Sequence, residues 1–237
     1  MDSGLVLLRG TAATVGTIHT VLGPDHYLPF VALAKARDWP RRKMLLVTAL
    51  CGIGHVLGSI VLGILGIALG WAVGSMEAFE STRGDWAAWG LIGFGLAYGI
   101  WGLRRGLRRR EHGHAHAHEN GVVHCHPHIH LQDHSHIHAV DGRPSVTPWM
   151  LFIIFVLGPC EPLIPILMVP ASQHSWGGVA LVSSVFAVAT ILTMTAMVLV
   201  LSTGLSVLRV NGLERWAHAL AGFSLFACGG AIKWLGL

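Results

Sequence analysis

Six apolar runs, each long enough to cross a bilayer, take up most of this 237-residue chain. Crossing the hydrocarbon core takes about 20 apolar residues of helix, because a spanning backbone must satisfy its own hydrogen bonds. The runs lie at about 5–34, 44–74, 86–107, 148–170, 177–207 and 213–236. They predict an all-α integral membrane protein with six transmembrane helices. Only 12% of the residues are charged, against roughly 25% in soluble domains, which excludes a soluble enzyme with a single core. No G-x-x-x-x-G-K-[ST] phosphate loop occurs, and six spans leave no room for a nucleotide-binding domain. Transport by such a chain runs down a gradient or draws on a partner's energy. The chain is not expected to be an enzyme and carries no expected permanent cofactor.

Two of the runs are interrupted. Gly23-Pro24 cuts the first and Gly158-Pro159 the fourth, where Pro162 and Pro165 follow. Proline removes a backbone donor and clashes with the preceding turn, so both spans should be broken or kinked. The two breaks are alike: residues 21–28 (VLGPDHYL) align with residues 156–163 (VLGPCEPL), identical at five of eight positions. Three spans per half is odd, so the second half must enter the membrane inverted. Discontinuous helices at matching places in inverted halves mark the substrate site of many transporters. The expected organisation is a three-helix repeat over 1–107, a polar loop over 108–147 and a second repeat over 148–237. The loop has too little apolar surface to fold alone and is expected to be mobile.

The net charge of +4 reads as topology and not as nucleic-acid binding, since the basic residues flank apolar runs. Lys35, Arg37, Arg41, Arg42, Lys43, Arg104, Arg105, Arg108, Arg109, Arg110, Arg143, Arg209 and Arg215 fall on one face. Arg9, Arg83 and Lys233 fall on the other. This asymmetry places both termini outside and the 108–147 loop in the cytoplasm of a cell-membrane protein. The start, Met1-Asp2-Ser3-Gly4, has no basic n-region, so the first span is expected to be retained.

Ionisable residues inside apolar runs are expensive, and they point to function. Span one holds His19, Asp25 and His26; span two holds His55 among Gly52, Gly54, Gly58 and Ser59; span four holds Cys160 and Glu161. Span five adds Thr190, Thr193, Met194 and Met197. His19 and His26, seven apart, share a helix face. Three neutral imidazoles suit nickel, cobalt, zinc or copper, whereas calcium or magnesium would want mostly oxygens. Asp25 and Glu161 together would neutralise a divalent ion. The expected ion ligands are His19, Asp25, His26, His55 and Glu161, with Cys160, Thr190, Thr193 and Met194 as additional candidates.

The loop points the same way. His112, His114, His116, His118, His124, His126, His128, His130, His134, His136 and His138 crowd one tract, and histidine-rich tracts read as metal binding. The four cysteines, Cys51, Cys125, Cys160 and Cys228, form no C-x-x-C pair, so neither a disulfide framework nor a zinc ribbon is indicated.

The H-x5-D-H run of His19, Asp25 and His26 resembles the H-x4-D-H signature of the nickel/cobalt permeases, one residue longer. Length, three-plus-three layout and histidine-rich loop are more similar to the related nickel/cobalt efflux proteins and membrane-bound urease accessory transporters. The resemblance implies transport of Ni²⁺ or Co²⁺, with zinc or another divalent transition metal still open and His19, Asp25 and His26 as essential ligands. It leaves the direction of transport open. The expected partners are the transported ion and the lipid bilayer, with a cytoplasmic metallochaperone as a further candidate. The Gly158–Leu163 stretch is also similar to the proline-flanked cysteine motif of six-span thiol–disulfide electron carriers. That reading needs a cysteine where Asp25 stands. A third reading, a metal sensor or accessory protein, needs the loop but not the buried carboxylates.

Overall fold

Both Gly-Pro interruptions end a helix. The computed structural model describes residues 3–108, 112–117, 123–128, 146–173, 175–207 and 214–236, and eight α-helices lie among them. The first apolar run divides into α1 (Ser3–Leu22), a 3-10 turn (Pro24–His26) and α2 (Leu28–Ala36). The fourth divides into α5 (Val146–Leu157) and α6 (Leu163–Ser172). Between them lie α3 (Arg41–Ala68) and α4 (Val73–Arg108), and α7 (Trp176–Val207) and α8 (Ala217–Leu235) complete the chain.

Among the described residues, four helices are long and apolar enough to cross a membrane: Gly4–Leu22, Arg41–Ala68, Val73–Arg108 and Trp176–Leu205. Six were expected. The fourth run supplies two shorter apolar helices, Thr147–Leu157 and Leu163–Ser172, and α8 is not among the four. The third span also begins earlier than expected, at Val73 instead of residue 86. Glu77, Glu80, Arg83 and Asp85 therefore lie within α4 and not in a loop. Large apolar side chains such as Leu57, Trp86, Leu192 and Val200 face outward, as a lipid-facing surface requires.

Two segments of the polar loop are paired. His112–Ala117 (β1) pairs antiparallel with Val123–His128 (β2). The register sets His112 opposite His128, His114 opposite His126 and His116 opposite His124. Alternating histidines have the period of a strand. His118, His130, His134, His136 and His138 lie outside the described residues.

Helix α1 packs on α7 and α5 on α3; α2 packs on α8, and α6 packs mainly on α7 while also touching α3 and α4. Helices α3 and α7 meet, as do α4 and α8. The α4–α8 contact is backbone against backbone. A Cβ on Gly222 would collide with the backbone of Gly99, and one on Gly95 with that of Phe226. Small residues of this kind are what allow helices in lipid to approach closely. Two apolar clusters flank the middle of the molecule. One contains Phe30, Leu33, Cys51, Phe155 and Met194, and the other Val56, Cys160, Leu163 and Phe186. His55 stands on α3 between Cys51 of the first and Val56 of the second.

Gly222→Val forces a branched side chain into the Gly99 backbone, and overpacking of this sort costs about 1–3 kcal/mol or more. Purified Gly222→Val should melt at a clearly lower temperature than the parent in the same detergent. Gly93→Val, where a Cβ meets nothing within 4 Å, should melt with the parent.

Candidate metal centre

The first break builds half of the site. Gly23 donates its N–H to the His19 carbonyl at 3.0 Å, which closes α1. Gly23 is extended (φ −88°, ψ 95°), and Pro24 opens a 3-10 turn in which the His26 N–H returns to the Gly23 carbonyl at 3.1 Å. A continuous helix would separate His19 and His26 by two turns, about 10.5 Å along the axis. Folding the chain back at Gly23 brings their ring centroids to 4.8 Å. The second half comes from α3, whose His55 ring lies 5.1 Å from that of His26. The break is thus what turns a shared helix face into a cluster. A Cβ on Gly23 would sit 2.5 Å from His26 Nδ1 and 2.8 Å from Asp25 Oδ1, so a side chain at this corner would have to displace the His26 ring or the Asp25 carboxylate.

One ligand atom from each of His19, His26 and His55 lies within 4.8 Å of the others. His26 and His55 are each 3% exposed. Their Nδ1 atoms are occupied. His26 Nδ1 faces the Gly23 carbonyl at 3.1 Å and Asp25 Oδ1 at 3.2 Å, and His55 Nδ1 faces the Phe155 carbonyl at 3.2 Å. Carbonyl and carboxylate oxygens only accept, so each Nδ1 must carry the proton and donate it. In the neutral ring, Nε2 then keeps a free lone pair. The Nε2 atoms of His19, His26 and His55 are all buried and have no hydrogen-bond partner in the protein. Leaving one such group unpaired costs about 1–3 kcal/mol, and three in one place call for an explanation.

A transition-metal ion supplies one. Three nitrogens at about 2.0–2.1 Å from a tetrahedral ion stand about 3.4 Å apart. The 4.8 Å spread would therefore close by at most about 1.4 Å, within the reach of small side-chain shifts. Holding Nδ1 by a carbonyl or carboxylate while Nε2 faces the ion is the usual arrangement of metal-ligating histidines.

The other expected ligands distribute unevenly. Asp25, 21% exposed at its side chain, holds His26 through Nδ1, on the side of the ring away from Nε2. Glu161 is exposed and lines an open depression with Glu77, Ala78, Ser81, Pro162 and Pro165; it does not join the histidines. Cys160 is fully buried in the second apolar cluster. Thr190 is fully buried with an unpartnered Oγ1, and a Cβ on Gly16, one turn before His19, would lie 3.1 Å from it. Met194 is fully buried, with its sulfur 3.2 Å from where a Cβ on Gly52 would stand. Thr193 is half-buried on the same helix. All three clustered histidines thus come from the first half of the chain.

The carboxylate buried at the second break is Glu80, which the sequence reading missed. It is fully buried, lies 2.6 Å from Arg83 Nη1 and accepts the Cys160 N–H at 3.3 Å. A Glu–Arg pair three apart is the available signal. It was obscured because the third apolar run was taken to begin at 86.

Gly23→Ala should push the His26 imidazole off its hydrogen bonds and weaken Co²⁺ binding at least tenfold, about 1.4 kcal/mol. Optical titration of the purified protein, with the loop histidines replaced by serine, measures it. Gly10→Ala, where a Cβ meets nothing within 4 Å, should titrate like the parent. No family model, curated protein or solved structure matches the chain.

Proposed function

We propose that the chain is a secondary transporter for a divalent transition-metal ion, Ni²⁺ or Co²⁺ foremost, with His19, His26 and His55 as the ion's ligands. The observation that carries this reading is that three histidines with buried, unpartnered Nε2 atoms each bring a ring nitrogen within 4.8 Å of the others, on or beside helices apolar enough to lie in a membrane. Neutral imidazoles select late transition metals over calcium and magnesium. Asp25 is the nearest negative charge; it offsets part of the ion's charge and holds His26 in the binding tautomer.

Two pairs of helix contacts support a repeat of the two halves, and their inversion is part of the proposal. Exchanging α1, α2, α3 and α4 with α5, α6, α7 and α8 maps α1–α7 onto α5–α3 and α2–α8 onto α6–α4. On this reading the protein has six spans, two of them broken, with both termini outside the cell membrane and the histidine loop in the cytoplasm. The ion rides on the first half, while the second half supplies the Phe155 carbonyl and the wall at Thr190. Alternating access is then a rocking of one half against the other around that ion. The loop histidines gather ions and modulate delivery; they are not the obligatory route. Thiol–disulfide exchange has less support: Cys51, Cys160 and Cys228 are all free, and Asp25 stands where a partner for Cys160 would be needed.

Metal flux in proteoliposomes tests the proposal. Ni²⁺ or Co²⁺ should enter vesicles containing the parent protein. His55→Ala and Asp25→Asn should reduce that flux by at least tenfold, and Cys160→Ser should leave it close to the parent. An inactive Cys160→Ser beside an active Asp25→Asn would refute the metal reading in favour of electron transfer.

A further inference from the structure

The pair of buried Glu80 and half-buried Arg83 lies outside the histidine cluster, yet it grips the stretch of backbone that orients His55. Where α5 stops, its last carbonyls have no helical partner. Arg83 Nη2 reaches the Val156 carbonyl at 2.7 Å and the Gly158 carbonyl at 3.4 Å. Arg83 Nη1 reaches Glu80 Oε1 at 2.6 Å and Ser59 Oγ at 3.4 Å. On the far side of the break, Glu80 Oε2 accepts the Cys160 N–H at 3.3 Å. The pair therefore spans the whole interruption, with the cation on the carbonyl side and the anion on the amide side.

The carbonyl that fixes His55 belongs to Phe155, the residue before Val156. The backbone here is closely packed. A Cβ on Gly58 would lie 2.7 Å from Arg83 Nη2 and 3.1 Å from the Val156 carbonyl. One on Gly84 would lie 2.7 Å from Pro159, and one on Gly158 would lie 3.1 Å from His55 Nδ1. Any movement of the α5 end is thus a movement of the acceptor on which the His55 tautomer depends.

We propose that Glu80 and Arg83 are positioning residues of the ion site: they pin the end of α5 so that the Phe155 carbonyl holds His55 with Nδ1 protonated and Nε2 free. A guanidinium is required because its planar fork serves two carbonyls and a carboxylate at once, whereas an ammonium presents a single point. Glu80 is required because it neutralises Arg83 and satisfies the Cys160 amide in the same place. The consequence for metal binding rests on the proposed function; the orientation of His55 does not.

The test uses the full-length protein with its loop histidines replaced by serine and its histidines labelled with ¹⁵N, first without metal and then with Co²⁺. The parent should show His55, assigned by its loss in His55→Ala, as the Nδ1–H tautomer. The proportion of that tautomer should fall in the order parent, Arg83→Lys, Arg83→Gln, and it should fall in Glu80→Gln, while His26 keeps its own. Co²⁺ affinity should fall in the same order, at least tenfold for Arg83→Gln. A purely structural pair would lower the melting temperature and leave the His55 tautomer of the folded fraction unchanged, and that result overturns the proposal. Unchanged Co²⁺ affinity alongside a shifted tautomer overturns its functional half. A parent that binds no Co²⁺ contradicts the metal reading, and the His55 tautomer still decides whether the pair positions it. Arg83→Lys and Glu80→Gln keep size and most hydrogen-bonding capacity, so they remain informative if Arg83→Gln does not fold.

Discussion

In a bilayer core there is no water to complete a hydrogen bond, so every N–H and C=O released by a helix break must find a partner within the protein. This chain breaks two of its apolar runs, and much of its buried polar chemistry follows from those breaks. At the first, the Gly23 N–H and Gly23 carbonyl are taken by His19 and by His26, partly through the His26 side chain. At the second, the Phe155, Val156 and Gly158 carbonyls and the Cys160 amide are taken by His55, Arg83 and Glu80. His26, His55, Arg83 and Glu80 thus each answer a particular backbone group.

That accounting has a chemical by-product. Backbone carbonyls hold the Nδ1 atoms of His26 and His55, and the same bonds leave their Nε2 atoms buried without a hydrogen-bond partner. The unpaired nitrogens are a liability for folding. Three neutral donors in one place are also what a late transition metal seeks. The two breaks are alike in sequence but differ in role. The first turns a histidine inward, and the second uses an ion pair to hold a neighbouring helix's histidine still.

Much of this was legible in the sequence. Both Gly-Pro interruptions end helices as expected; the break at Gly23 brings the His26 ring to that of His19, and the packing of α3 brings His55 to His26. The small residues around His55 do permit close approach, at Gly54, Gly58 and Gly52 alike. Other features were not legible. Glu161 and Glu80 both lie near the second break, and only packing decides which carboxylate is buried. Sequence position favoured Glu161, which faces outward, while Glu80 is drawn in by Arg83 one turn away. The start of α4 was missed because Glu77, Glu80, Arg83 and Asp85 lower the local hydropathy, although the helix runs through them. The hairpin within the loop was missed because alternation was read as composition and not as a strand period.

The direct test is X-ray absorption at the metal edge of the Ni²⁺- or Co²⁺-loaded protein with all eleven loop histidines replaced. The account predicts one ion per chain in a nitrogen- and oxygen-rich shell, with the multiple-scattering pattern of three imidazoles falling to two in His55→Ala. A shell without imidazole scattering, or one dominated by sulfur, would contradict it.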